Sequence, residues 1–65
     1  MTTADMLRAE GEVRGRAEAL IEVLTLKFGP LPSATLDTVR TASTEQLRTW
    51  NTRVLTADTL QQTLR

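Results

Sequence analysis

The chain has 65 residues, 40% of them hydrophobic, and its eight basic side chains balance eight acidic ones. With neither Cys nor His it can form no disulfide and none of the usual structural zinc sites, and a core this small is marginal alone, so oligomerisation is the expected source of added stability. A neutral chain has no global field drawing it to nucleic acid or an anionic membrane, no apolar run nears the roughly 18 residues of a membrane span, and the charged stretch 8–18 leaves no room for a signal peptide, so the cytoplasm is the expected location.

The first predicted element is a long helix from Ala4 to Phe28. Met6, Val13 and Leu20 recur every seven residues, and Ala17 and Leu24 interleave at steps of four and three, which makes a heptad seam. Leu7, Ile21 and Phe28 widen the stripe, and Glu10 is a polar residue within it. The stripe is thin before Ala17 and dense after it, where Leu20, Ile21, Val23, Leu24, Leu26 and Phe28 crowd together. Two charge ladders, Arg8–Glu12–Arg16 and Glu10–Arg14–Glu18, support the helix by about 0.2–0.5 kcal/mol per pair. Gly11 and Gly15 oppose them at roughly 1 kcal/mol each, so the N-terminal half is a weak helix by itself. The segment 1–19 is therefore expected to project and 20–65 to form a small helical domain.

Gly29 suits a left-handed helix end, Pro30 cannot continue a helix, and Pro32 turns Leu31 extended and inward. A second helix is predicted over Ser33–Ala42, with Leu36 and Val39 facing in. Ser43 and Gln46 have the spacing of a capping box and open a third helix that carries Leu47, Trp50 and Val54 on one face. A last short helix is predicted over Ala57–Leu64, capped by Thr56 or Asp58 and presenting Leu60 and Leu64. The fold class is all-α: one long N-terminal helix, a small bundle of three short ones, and coiled-coil-like self-association. The expected core is Leu20, Leu24, Phe28, Leu31, Leu36, Val39, Leu47, Trp50, Val54, Leu60 and Leu64.

About 25 helical residues extend roughly 37 Å, whereas the segment that follows folds to only about 20–25 Å across. At least a third of the helix should overhang, and its stripe should meet a copy of itself or another chain. The predicted interface is Met6, Leu7, Glu10, Val13, Ala17, Leu20, Ile21 and Leu24, in a dimer or, given alanine in the seam, a tetramer.

Chemistry is scarce. Ser33 and Ser43 have no His to serve as base and read as helix caps. Glu18 and Glu22 share a helix face, but nothing completes a cation site there, and neither metal nor cofactor is expected. Gly11 and Gly15 make a G-x-x-x-G spacing on a charged helix, pointing away from the seam. Trp50 reads first as a core anchor and second as a stacking platform for a base. Helices two and three could form a helix-turn-helix in which Arg40, Arg48, Thr49, Thr52 and Arg53 contact DNA, although the turn at Ala42–Ser43 is short and the charge excess small.

The motifs K-F-G-P-L-P at 27–32, A-S-T-E-Q-L at 42–47, Trp50 and V-L-T-A at 54–57, preceded by the Gly-Arg-Glu helix of 8–18, together span nearly the whole chain. This pattern resembles the small helical domain of unknown function at the C-terminus of Rpn-type (YhgA-like) proteins, transposase-like or recombination-promoting nucleases of the PD-(D/E)XK class. The resemblance implies that the nuclease part lies upstream: the only Lys is Lys27, and Thr25 stands where a D/E-X-K triplet requires an acid. It also implies that a short form of this kind assembles with a full-length nuclease and restrains it. Met1 fits a free-standing short form and a shortened piece of a longer chain alike. No enzymatic activity is expected of the chain itself.

Overall fold

The computed structural model describes residues 3–65 and contains four helices: α1 Thr3–Phe28, α2 Ser33–Arg40, α3 Thr44–Arg53 and α4 Leu60–Leu64. The described residues include no strand.

The punctuation seen in the sequence ends α1. Gly29 adopts φ +89°, a conformation that strains any residue with a Cβ, and its N–H closes the last turn on the Thr25 carbonyl at 2.9 Å. Pro32 then occupies the cap position of α2 and its carbonyl accepts from the N–H groups of Thr35 and Leu36. Ser33 is therefore the first residue of α2 rather than its cap, because the proline carbonyl already receives the first helical bonds. The second helix ends at Arg40, two residues before the predicted end. Thr41 leaves helical geometry while its N–H and hydroxyl both bond the Asp37 carbonyl, and Ala42 turns inward.

The capping box of α3 forms as the spacing predicts. The Ser43 hydroxyl accepts from the Gln46 N–H at 3.2 Å and the Gln46 side chain accepts from the Ser43 N–H at 3.1 Å. The fourth helix starts later than predicted. Val54 to Ala57 wind out of α3 with their N–H groups bonded back to Trp50, Thr52 and Arg53, and Ala57 is buried. Only Thr59 is then free to cap; its hydroxyl accepts from the Gln62 N–H at 3.1 Å, so neither Thr56 nor Asp58 fills that role.

The core lies between the C-terminal half of α1 and the three short helices. Leu20, Leu24, Val39 and Leu47 are fully buried, joined by Ala17, Trp50, Val54 and Ala42. Each buried leucine contributes about 1.5–3 kcal/mol relative to exposure. Phe28, Leu31, Leu60 and Leu64 are half-buried against this cluster, as are Val13 and Ile21. Leu36, expected in the core, is only half-buried, at the rim. Thr63 is fully buried although polar; its hydroxyl donates to the Thr59 carbonyl at 3.2 Å, which removes the desolvation cost.

The molecule measures 41 × 21 × 17 Å, so α1 defines its long axis. Its radius of gyration, 12.5 Å, exceeds the value of about 11 Å expected for a compact chain of this length.

Candidate functional site

The surplus length is in the first ten described residues of α1. Thr3 to Glu12 are all exposed, burial begins at Val13, and it is complete at Ala17. This arm extends about 15 Å past the body. Met6 is 51% and Leu7 63% exposed. Met6 and Val13 lie on the heptad line that continues into Leu20, so the stripe that packs the core runs on along the arm without cover. The accessible surface, 4720 Å², exceeds by about 600 Å² what a compact protein of this mass exposes.

The eight residues of the predicted interface therefore divide. Met6, Leu7 and Glu10 are exposed and Val13 is half-exposed. Ala17, Leu20 and Leu24 are buried within their own chain, and Ile21 packs half-buried against the same cluster. Side chains at 0–1% exposure cannot also line a contact between chains while the core stays intact. The sequence assigns one seam to two tasks, and the body takes its dense half. Val23 and Leu26, which belong to that dense half in sequence, are 43% and 81% exposed. The helical repeat turns Val23 about 80° and Leu26 about 140° from the direction shared by Leu20 and Leu24, away from the short helices.

A groove of about 610 Å³ runs beside the arm. Ala9, Val13 and Ala17 form its apolar floor, and Glu10 and Arg14 its flank. At the body end it is closed by Arg40 of α2, whose Nε donates to Glu18 Oε1 at 2.8 Å and whose Nη2 approaches Oε2 at 3.5 Å. This fork fastens the end of α2 to the middle of α1. The hydrogen bond from Arg40 holds the Glu18 carboxyl below its usual range; the charges of Arg40 and Arg14 add to that, while partial desolvation opposes it. Reciprocally, the hydrogen bond to Glu18 raises Arg40. A pair 22 residues apart in sequence leaves no periodic signal, so only the fold reveals it.

Two of the three arginines among the candidate DNA-contact residues are held by partners within the chain. Arg40 is engaged by Glu18, and Arg53 is half-buried and donates to the Arg65 carbonyl. The Thr49 and Thr52 hydroxyls donate to the Glu45 and Arg48 carbonyls of their own helix. Arg48 is exposed, close in sequence to the acidic Glu45. The connection between α2 and α3 has three residues, Thr41 to Ser43, longer than the two-residue turn expected and within the range of helix-turn-helix units. Trp50 is 5% exposed, which leaves no ring face open for stacking on a base. Among the described residues no group of three or more acidic side chains is placed to hold a metal ion, and no helix is long and apolar enough to cross a membrane. No protein-family model matches the chain, and neither does any curated protein or solved structure.

Proposed function

We propose that this chain is a non-catalytic, cytoplasmic module that self-associates through the exposed arm of α1. The observation that carries this reading is the continuation of the core stripe for ten residues beyond the body, with Met6 and Leu7 more than half exposed at its far end. Bare apolar surface in line with a packed seam gains free energy when a second helix covers it. Met6, Leu7 and Val13 supply the apolar contact, and Glu10 limits the registers in which two arms can meet. The resemblance to the C-terminal domain of Rpn-type nucleases adds a regulatory role: the same stripe would pair with its counterpart in a full-length nuclease and hold that partner in a mixed assembly.

Sedimentation at micromolar to millimolar concentration tests the self-association. The native chain should show a concentration-dependent mass, and Met6→Asp with Leu7→Asp should give a monomer whose body stays folded. A native chain that stays monomeric throughout this range overturns the reading. The pair Met6 and Leu7 is the informative one, because an aspartate at Leu20 would unfold the body and mimic loss of association.

A further inference from the structure

We infer that two copies pair antiparallel, by the arms alone, with the two bodies at opposite ends of an elongated dimer. This rests on the self-association proposed above and specifies its geometry. The first argument is steric. Met6 and Val13 lie on the same helical line as Leu20, and α1 is one continuous helix from Thr3 to Phe28. The short helices that bury Leu20 and Leu24 therefore stand on the side of α1 that the arm's stripe faces. A partner running parallel along that stripe would drive its own α1 through the space those helices fill. An antiparallel partner meets only the arm, short of the point where Arg40 closes the groove.

The second argument is electrostatic. Parallel pairing sets Glu10 against its own copy inside the seam, and like charges in that position repel. In the antiparallel register that overlaps Thr3–Val13 with its mate, the two-fold axis passes near Arg8. Met6 then faces Glu10 of the partner subunit, whose methylene stem covers it while the carboxylate reaches water. Leu7 lies beside the partner's Leu7, and Thr3 faces the partner's Val13. The third argument is area. If each chain covers its surplus of about 600 Å², the contact totals about 1,200 Å², the lower end for a specific interface. That suits a dimer that forms at raised concentration, and it asks nothing of the buried residues of the body.

Small-angle scattering and crosslinking together test the arrangement. Two molecules of 41 Å overlapping by about 15 Å extend to about 67 Å, whereas parallel pairing leaves the length near that of one copy. The chain has no native Cys, so single cysteines report cleanly. Leu7→Cys should link to its mate through a short bismaleimide, and Val13→Cys should not, because its two copies stand about 15 Å apart along the axis. A dimer near the length of one copy, with Val13→Cys linked, overturns the antiparallel geometry while leaving self-association standing. Absence of any dimer overturns both. The scattering uses the native chain, so the inference can fail even if a cysteine variant folds poorly.

Discussion

The two halves of α1 belong to one helix and carry one stripe, yet they live in different surroundings. From Ala17 onward the stripe is inside: Leu20 and Leu24 have no accessible surface. From Thr3 to Glu12 every residue is exposed, including the two largest apolar side chains of that stretch. Periodicity alone does not separate the halves, since Met6, Val13 and Leu20 are equally spaced. What separates them is the reach of the short helices, which cover only part of a 41 Å axis. A heptad pattern thus specifies that a face will be covered, and the length of the remaining chain decides how much of it is covered from within.

The sharpest way to break this division is to truncate one leucine in each half. Leu24→Ala should cost about 2–5 kcal/mol, because a cavity opens among side chains that cannot collapse to fill it. A chain of this length has only about 3–10 kcal/mol in total, so its cooperative thermal transition should shift far down or vanish. Leu7→Ala, read at a concentration where the chain is monomeric, should change stability by no more than about 0.5 kcal/mol. Comparable losses at the two positions, followed by circular dichroism, would mean that the arm is part of the folding unit after all.

A smaller effect sharpens the comparison from the other side. A methyl group added at Gly11 or Gly15 meets nothing within 4 Å, so alanine at either position gains helix propensity without a clash. Each substitution should favour the helix by about 0.5–1 kcal/mol. The gain should appear as slower amide exchange across the arm, with little change for Leu47 or Trp50 in the body. Protection rising equally in both would show that arm and body open together.

Much of the architecture is legible in the sequence because it depends on local chemistry. The Gly29 stop, the capping box at Ser43 and the inward faces of α1 and α3 each follow from residues within one or two turns of one another. The start of α4 is not legible in this way. Val54 to Ala57 continue turning after α3, and the choice of Thr59 over Asp58 depends on where that turn lets go. The small buried residues Ala42, Ala57 and Thr63 escape a sequence reading for a related reason: side chains of that size give no hydrophobic period, and their burial follows from the way short helices meet. On the candidate surface, the stripe and its change from thin to dense near Ala17 are readable in the sequence, whereas the enclosure of Ala17, Leu20 and Leu24 within their own chain follows from the packing of the short helices.

The clasp at the boundary between the halves gives the smallest expected effect and the most specific one. Arg40 and Glu18 join α2 to α1 where the arm leaves the body, and both side chains are about half exposed. Glu18 is held below its ordinary carboxylate value mainly by the hydrogen bond from Arg40. A depressed carboxylate contributes stability above its unfolded-state value and loses it as the pH falls through the folded value. The melting temperature should therefore drop more steeply on the acid side of 4.5 in the native chain than in Glu18→Gln, and the difference should shrink with added salt because water and ions screen an exposed pair. Following the Glu18 carboxyl by NMR titration isolates the cause. Arg40→Ala should return its midpoint toward the ordinary value; a midpoint that stays low would assign the depression to Arg14, four residues back on the arm side of the same helix, and would move the boundary between arm and body with it.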